Sequence, residues 1–490
     1  MGSEADDARA APSITGPADP PSNHGASPPR GLASVPHSSV DRGRYGRMFR
    51  HLKPYAPKDT TLLRLAHSML PPPTLPASAV PAASSTAGLQ PGENPEIPAG
   101  YTYIGQFVDH DITFDPTSVL QRRNDPDALM NYRTPRFDLD SIYGSGPDDH
   151  PFLYDNDDPC KLLIGRNRGR DEEREDLPRN TQGRALLGDP RNDVHFILTQ
   201  FTLAVLRFHN AVVDRLRAGH LDEDEVFAEA QRLTRWHYQW MVVEDFLGRI
   251  VGPDVLRQVL VIDPQGGRRA DLRFYKWKRE PFMPVEFSAA AYRFGHSQIR
   301  STYVLNKKTP IPIHIMVPSV DSAPHEHLTG FRPLPKGWKI AWDLYFEIGG
   351  SSPQLSRRID AKVTGPLGRL PPSIDPGERA LGLLDMMRGR GLGLPSGEAV
   401  AAAMGTSRRD LGLDGPTPLW YYILKEAEVD SGGLRLGPTG GTIVAEVLVG
   451  LLAADPASFL RADPTWTPEL PSAVPGEFTV VDFLRFAGVA

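Results

Sequence analysis

The chain has 490 residues, a formal net charge of −6 and a hydrophobic fraction of 40%, which is enough to bury a large core. Its mild acidity argues against general nucleic-acid binding, and no apolar run of about 18 residues predicts a membrane-spanning helix. Cys160 is the single cysteine, so intramolecular disulfides are excluded, and a metal site would have to use histidine and carboxylate side chains.

The N-terminal segment, residues 1–40, is rich in Ala, Pro, Ser and Gly and predicts a disordered leader. It lacks the basic start and apolar centre of a secretory signal peptide, so we expect a cytoplasmic protein, with leaderless secretion as the alternative. Residues 41–490 are predicted to form a single domain. Within it, we expect a short helix around 60–69 and a long surface loop over 71–100.

The stretch 101–114 places one histidine between two carboxylates, in the order Asp109, His110 and Asp111. On a helix, Gln106 and His110 are four residues apart and share a face, whereas the two aspartates point to either side of it. The apolar residues between them favour burial, and buried charges need partners. A helix end with solvated acids and one hydrogen-bonded histidine is the competing interpretation.

An acidic loop follows, in which Thr134, Arg136, Asp138 and Asp140 alternate with other residues. In an extended loop these alternate residues face one side. Three of them offer side-chain oxygens and Arg136 offers only its backbone carbonyl, which is the mixed oxygen set that Ca²⁺ binds. Taken alone, the pattern favours a solvated acidic turn.

Two long helices are predicted in the middle of the chain. Asp189 and Pro190 are typical of a helix start, and an apolar helix is expected over 194–218 with Arg191 just before it. Apolar residues that recur with period 3.6 predict a second helix over 222–252. The large aromatic residues of this second helix are interpreted as core.

The segment 284–303 ends an apolar face at His296. Small residues at 288–291, together with Gly295, would let a large flat group approach this histidine. A core histidine that bonds a backbone carbonyl is the commoner alternative. Further towards the C-terminus we expect a Gly-rich turn at 388–396 and helices over 337–348, 354–363, 397–404, 417–427 and 438–453.

In combination, the motifs resemble those of the animal-type haem peroxidases of the peroxidase–cyclooxygenase superfamily, in what looks like a bacterial branch. The resemblance covers roughly residues 45–490 and implies a mainly α-helical domain with little β-structure, in which haem is buried between distal and proximal helices. It rests on four motifs in the family's order: Gly105-Gln106-x-x-Asp109-His110-Asp111, the 134–140 loop with Tyr143-Gly144-Ser145, Asp189-x-Arg191 ahead of His209-Asn210, and Arg293-Phe294-Gly295-His296.

This resemblance implies a role for each matching residue. His110 resembles the distal histidine, Arg191 its catalytic arginine, and Gln106 the distal glutamine that lies near bound peroxide or halide. His296 resembles the proximal ligand of the iron of haem b, and Arg293 also lies in the cofactor-binding motif. The implied Ca²⁺ ligands are Asp111, Thr134, the carbonyl of Arg136, Asp138 and Asp140.

Two positions depart from the pattern of several mammalian relatives, in which two acidic residues are ester-linked to haem. Val194 stands at one of these positions and cannot form an ester. Asp109 matches the other, so at most one ester is expected. The family's usual asparagine partner of the proximal histidine, shortly before a tryptophan, has no match ahead of Trp420.

The resemblance implies a peroxidase that uses hydrogen peroxide to oxidise a small organic, halide or lipid donor, with a role in the response to oxidative stress. Fatty-acid dioxygenases of the superfamily carry a radical-forming tyrosine three residues before the proximal histidine. Arg293 stands there in this chain, which favours a peroxidase, and Tyr292 is expected to face elsewhere. The alternatives are a fatty-acid dioxygenase or lipid hydroperoxide-processing enzyme, and a haem-binding relative without turnover.

Overall fold

The computed structural model describes residues 45–71, 91–114, 131, 133–168, 173–278, 280–307, 327–368, 370, 380–406 and 410–490. The predicted leader and residues 72–90 of the predicted loop lie outside these ranges, so both stay predictions. The described part of the chain is mainly α-helical and carries small two-stranded sheets. The predicted fold class is therefore confirmed.

The helices account for most of the described residues. In chain order, they are α1 Asp59–Ser68, α2 Gly100–Ile112, α3 Asp140–Tyr143, α4 Phe196–Ala218, α5 Glu223–Trp240, α6 Gly248–Val251, α7 Pro253–Val259, α8 Val285–Ser288, α9 Leu381–Gly391, α10 Gly397–Met404, α11 Leu419–Ser431, α12 Pro438–Ala454, α13 Phe459–Ala462 and α14 Val480–Phe486. A π-helix, Met241–Leu247, joins α5 to α6. Short 3₁₀ turns lie at Pro151–Leu153, Pro190–Asp193, Ala291–His296, Trp342–Leu344 and Gly365–Gly368.

The strands form four separate two-stranded sheets in the described ranges. One pair is parallel, β1 Tyr45–Gly46 with β7 Met283–Pro284. The other three pairs are antiparallel: β2 Glu93–Pro98 with β8 Leu355–Arg357, β3 Gly165–Arg168 with β4 Glu173–Asp176, and β5 Leu260–Ile262 with β6 Arg268–Ala270. Each sheet is too small to form a layer of its own, so helices build the core.

The core is centred on long helices that are apolar over much of their surface. Helix α4 packs against α2 and α5, and α12 packs against α7 and α11. In the described part of the chain, α4 is the one helix that is long and apolar enough to cross a membrane by length and composition. However, 83% of its most apolar window is buried inside the protein, as is typical of a core helix.

Three predictions of local structure are wrong. The expected helix over 354–363 instead contains strand β8, because its backbone pairs with β2. That pairing also makes Glu93–Pro98 a strand where a loop was expected. The expected helix over 337–348 is reduced to the 3₁₀ turn Trp342–Leu344. A fourth prediction is wrong in part: the expected Gly-rich turn at 388–396 begins inside helix α9, where packing outweighs the weak helix propensity of glycine.

The motif His209-Asn210 has a structural role within α4. The His209 ring bridges the Tyr143 hydroxyl at 3.0 Å and the Cys160 carbonyl at 2.8 Å. Asn210 exchanges two hydrogen bonds with the backbone of Leu162. These contacts tie the segment after α3 to the core helix, and they satisfy buried polar groups.

Candidate active site

A cavity of about 300 Å³ is walled by helix α2 and the 3₁₀ turn Ala291–His296. This volume is in the range of pockets that hold small molecules and cofactors. The cavity brings together five of the predicted site residues, namely Gln106, Asp109, His110, Arg293 and His296. The rest of its wall is largely apolar and includes Tyr101, Tyr103, Val194, Phe246, Tyr292, Phe294, Ile299 and Leu381.

Helix α2 supplies one wall because its position is fixed at both ends. The N–H of Gly100 donates to the carbonyl of Tyr345 at 3.1 Å, and a Cβ at Gly100 would come within 2.2 Å of the Phe346 ring. Only glycine permits this close packing. The helix ends at Thr113, which is extended and donates its N–H to Asp109. Gln106 therefore lies one turn from His110 on the cavity face.

His110 is held in a neutral state that leaves one nitrogen for chemistry. Its Nδ1 lies 2.9 Å from Oδ1 of Asn192 and donates to it, so Nε2 keeps its lone pair. Burial and the nearby charge of Arg191 lower the pKa of His110 to about 4. The imidazole is therefore a base at neutral pH.

Arg191, the expected catalytic arginine, lies behind His110 and does not belong to the cavity wall formed by the described residues. Its guanidinium donates to the carbonyls of His110, at 3.1 Å, and of Thr113. It also pairs with Asp189 at 2.7 Å and covers the Phe114 ring. Arg191 thus holds the C-terminal end of α2, and its predicted catalytic role stays a prediction.

Asp189 organises this cluster from a fully buried position. It accepts hydrogen bonds from Arg191 and from Arg133. Burial would raise the pKa of the Asp189 carboxyl, but the two guanidinium groups outweigh burial and lower it to about 2. The carboxylate is therefore charged, and it fixes both arginines.

Gln106 forms a hydrogen bond with His195, which is another histidine of the cavity wall. Nε2 of His195 lies 2.7 Å from Oε1 of Gln106, and both side chains line the cavity. His195 immediately precedes α4, and its Nδ1 accepts the N–H of Leu198. The sequence prediction did not assign a role to His195.

His296 lines the cavity from the end of the 3₁₀ turn Ala291–His296 and has a carboxylate partner. Its Nδ1 lies 2.6 Å from Oδ2 of Asp385, a fully buried residue of α9. Arg293 donates to the other carboxylate oxygen at 3.3 Å, and the Arg293 carbonyl accepts the indole N–H of Trp420. Burial would raise the pKa of Asp385, but His296 and Arg293 outweigh it and lower the pKa.

The two positions that matter for ester linkage both face the cavity. Asp109 and Val194 line it, and Oδ1 of Asp109 accepts a hydrogen bond from the Thr113 hydroxyl at 3.1 Å. Val194 carries no group that can form an ester. Of this pair, only Asp109 could supply a covalent bond.

Tyr292 lies in the cavity wall, although the sequence predicted that it would face elsewhere. That prediction was wrong because Ala291–His296 is a 3₁₀ turn and not an α-helix, which changes the direction of each side chain. The Tyr292 ring stacks on Phe287 at 4.6 Å, and its hydroxyl donates to the Gly105 carbonyl of α2 at 3.1 Å. Burial raises its pKa well above the usual value, so the phenol stays protonated.

A second polar cluster lies on the other side of His110. Asp111, Asp138 and Asp140 each direct one carboxylate oxygen into a group whose members lie within 4.8 Å of one another. The Thr134 hydroxyl donates to Asp138 at 2.8 Å. Four of the five predicted calcium residues are thus brought together. The Arg136 guanidinium lies 3.5 Å from Glu280 instead, as expected if Arg136 offers only its carbonyl.

The charge balance of this cluster fits a cation. Burial and the neighbouring carboxylates raise the pKa of Asp111 well above its usual value and that of Asp140 to about 7. Asp111 accepts from Ser141 through Oδ1, whereas its buried Oδ2 has no hydrogen-bond partner among the described residues. A hard cation would satisfy this oxygen and neutralise the acids.

The cavity also fits haem. The imidazoles of His110 and His296 both line the cavity. Each ring uses Nδ1 for a hydrogen bond to a protein side chain, which leaves Nε2 as the free nitrogen. A Cβ at Gly295 would meet no atom within 4 Å, so open space adjoins His296. An imidazole backed by a hydrogen-bonded carboxylate is the usual protein ligand arrangement for a metal.

Sequence reasoning missed Asn192, His195 and Asp385. Asn192 and His195 follow Arg191 closely in sequence, just before helix α4. This run of polar residues at a helix start was a signal that they could converge there. Asp385 lies 89 residues from His296 and three residues before the Gly-rich stretch 388–396, for which the sequence predicted only a turn. Only the folded chain shows that contact.

The comparisons with known proteins agree with this geometry. The family model described as animal haem peroxidase matches residues 118–410. Three similar curated proteins are the dual oxidase of Drosophila melanogaster, 26% identical over 260 residues, the chorion peroxidase of Aedes aegypti, 26% over 307 residues, and the thyroid peroxidase of Sus scrofa, 27% over 318 residues. These matches cover 49%, 60% and 59% of this chain but only 15%, 36% and 32% of the relatives.

Two solved structures share the fold over nearly the whole chain. Peroxidase A from Dictyostelium discoideum is 12% identical with a TM-score of 0.56, and covers 89% of this chain and 91% of its own. The fatty acid alpha-dioxygenase of Oryza sativa is 15% identical with a TM-score of 0.53, and covers 92% of this chain and 80% of its own. At these identities, the likeness establishes the fold alone.

Proposed function

This chain belongs to the animal haem peroxidase family, and we propose that it is an active haem peroxidase. In this proposal, haem b binds in the cavity with His296 as the iron ligand. Hydrogen peroxide is the oxidant, and the electron donor is a small organic molecule, a halide or pseudohalide, or a lipid. The chain spans about a third of the length of these relatives or less. The proposal therefore does not assume the activities of the whole relatives.

The observation that carries the proposal is that the neutral imidazole of His110 and the carboxylate-backed imidazole of His296 line the same cavity. A peroxidase needs a base on the peroxide side and a strong ligand on the iron side. His110 has a pKa of about 4, so it can take a proton at neutral pH. The Asp385 carboxylate orients His296 through Nδ1, so that Nε2 is left to bind a metal.

The proposed mechanism follows from the free atoms of these residues. When bound, haem, which His296 would hold, would supply the redox centre for the reaction with peroxide. Nε2 of His110 takes the proton of hydrogen peroxide and returns it to the departing oxygen, which leaves as water. Asn192 keeps the imidazole in the correct tautomer through Nδ1. A base positioned in this way contributes roughly 10²- to 10⁴-fold in rate.

Two further features belong to the same proposal. Ca²⁺ would bind Asp111, Asp138, Asp140 and Thr134, together with the carbonyl of Arg136. Because Asp111 directly follows His110, this ion would fix the end of helix α2 that carries the base.

Haem would carry at most one ester bond, through Asp109. Acid–acetone extraction tests this, because an ester-linked haem stays with the protein.

The test is a spectrum of the full-length protein expressed with haem supply. We expect a Soret band that changes when hydrogen peroxide is added, and that returns when a donor is oxidised. A screen of phenols, halides and thiocyanate would identify the donor class. A protein that binds no haem would contradict the proposal, and a Soret band that does not respond to peroxide would favour a relative without turnover.

A second candidate function, fatty-acid oxygenation, is favoured by one observation. Tyr292 lines the cavity as a buried phenol, and a tyrosine at a haem cavity can form the radical that such enzymes use. Oxygen uptake with an unsaturated fatty acid in the absence of peroxide would support this candidate, provided that Tyr292→Phe abolishes the uptake. Peroxide-driven donor oxidation that Tyr292→Phe leaves unchanged would support the peroxidase.

A further inference from the structure

His195 occupies an unusual position at the cavity, because one ring serves two partners. It is the residue before helix α4, where Nδ1 accepts the N–H of Leu198 at 3.3 Å. Its Nε2 lies 2.7 Å from Oε1 of Gln106. The ring is only 7% exposed and packs edge-on against Tyr103, with ring centroids 4.9 Å apart. The imidazole therefore has one fixed orientation.

The helix cap determines where the proton of His195 resides. A backbone N–H can only donate, so Nδ1 must be the unprotonated nitrogen. In the neutral ring, the proton then lies on Nε2, which donates to Gln106. Burial, followed by the nearby His110, lowers the pKa of His195 to about 3, so the ring carries a single proton at neutral pH.

This tautomer in turn determines the orientation of the Gln106 amide. The oxygen of the amide faces Nε2–H of His195, because the opposite orientation would bring two N–H groups together. The NH₂ group of Gln106 is therefore the end left for the cavity. It lies on the same helix face as His110, one turn away. The wall thus offers one acceptor, Nε2 of His110, beside one donor, the Gln106 amide.

We infer that His195 is a positioning residue that fixes Gln106 as a hydrogen-bond donor to a small ligand bound beside His110. The ligand class is a small molecule or anion with an acceptor lone pair, such as hydrogen peroxide or fluoride. This inference rests on the proposed function, since it assigns a task to the same cavity. Capping alone does not account for a histidine, because Asn, Asp, Ser and Thr are the preferred caps.

The variant that separates the two roles of His195 is His195→Asn. Asparagine is a good helix cap and can accept the N–H of Leu198, but its side chain is too short to reach Gln106. The protein should keep its thermal stability while the Gln106 amide becomes free to turn. Gln106→Ala removes the donor itself, and the double variant completes a thermodynamic cycle.

The measurement is the fluoride dissociation constant of the ferric holoprotein, from haem absorbance, for the wild type and the three variants. Loss of one hydrogen bond to a charged ligand corresponds to about tenfold weaker binding. We expect this loss in His195→Asn and in Gln106→Ala, and no further loss in the double variant. Wild-type affinity in His195→Asn, or losses that multiply in the double variant, would overturn the inference.

A second measurement needs no substitution and no haem. In the full-length protein labelled with ¹⁵N-histidine, the His195 resonances should report a neutral ring protonated on Nε2 from pH 5 to 8. A ring protonated on Nδ1 would contradict the inference even if the protein proved unable to bind haem. Conversely, a wild-type holoprotein whose spectrum does not change with peroxide would refute the proposed function. The fluoride-binding cycle and the His195 tautomer would still test this inference independently.

Discussion

His296 and Asp385 lie 89 residues apart in the chain, yet Nδ1 of the histidine is 2.6 Å from Oδ2 of the aspartate. The carboxylate is fully buried and also accepts from Arg293. A charged acceptor on Nδ1 makes Nε2 a stronger electron donor to a metal than a neutral acceptor would. The asparagine partner that the family resemblance implied is replaced by an acid from another helix.

Replacement of the Asp385 carboxylate should change the redox potential and the binding of haem more than it changes the fold. In Asp385→Asn, the acceptor remains but the charge is lost, so we expect the ferric–ferrous midpoint potential to rise. In Asp385→Ala, haem affinity should fall by about 10- to 100-fold. Spectroelectrochemistry and haem titration of the apoprotein measure the two effects. Asp343→Asn, which removes a surface ion pair with Lys307, is the control.

Removal of the base should slow the reaction with peroxide while haem stays bound. We expect His110→Ala to slow the reaction with hydrogen peroxide by roughly 10²- to 10⁴-fold, with a Soret band of normal intensity. Stopped-flow absorbance measures the rate constant. His67→Ala changes an exposed histidine of α1 and should react like the wild type. A normal rate in His110→Ala would refute the assignment of the base.

The rate of the peroxide reaction should fall only in acid. The neutral form of His110 is the active base, and its pKa is about 4, so the rate constant should be flat above about pH 5 and decrease as the imidazole becomes protonated. In Asn192→Asp, a carboxylate next to Nδ1 favours the imidazolium and raises the pKa of His110. The acid limb of the profile should therefore move to higher pH. An unmoved limb would exclude His110 as the titrating group.

Removal of calcium should destabilise the protein. Asp111, Asp138 and Asp140 repel one another when charged, so a bound ion contributes stability of about 2.7 kcal/mol at a concentration of 100 times its Kd. We expect EGTA to lower the melting temperature and Ca²⁺ to restore it. Asp138→Asn should weaken this response, whereas Asp254→Asn, at an exposed ion pair, should keep it. A melting temperature that changes with neither EGTA nor Ca²⁺ would contradict the calcium assignment.

The contacts of Arg191 with the end of helix α2 predict a different mutant phenotype from the one expected of a purely catalytic arginine. Arg191→Lys keeps a positive charge near Asp189 but cannot bridge the carbonyls of His110 and Thr113. We expect both the melting temperature and the peroxide rate constant to fall, because the end of α2 loosens. A slower reaction at an unchanged melting temperature would instead indicate that the guanidinium acts in the cavity. Arg257→Lys, at an exposed ion pair, is the matched control.

Local patterns were sufficient for those parts of the site that lie on one element. The four-residue spacing of Gln106 and His110 predicted a shared helix face, and both line the cavity. The alternation in the acidic loop put Thr134, Asp138 and Asp140 on one side but by itself favoured a solvated turn. Only the family resemblance added Asp111 and implied a calcium site, and the three carboxylates do converge. The long helices over 194–218 and 222–252 were also predictable, because helical periodicity of apolar residues is a local signal.

Only the tertiary structure decided which partner each of these residues has. The Nδ1 partners of His110 and His296, Asn192 and Asp385, come from other segments, and contacts between distant segments depend on packing and not on spacing. The sequence predicted that Tyr292 faces away from the cavity, whereas the fold places its phenol in the cavity wall. The Arg191 guanidinium donates to backbone carbonyls, and its predicted catalytic role stays a prediction. A side chain's direction depends on the exact turn of the backbone beneath it, which in Ala291–His296 is 3₁₀. Residue types and spacing thus determined the chemistry, and long-range packing determined its orientation.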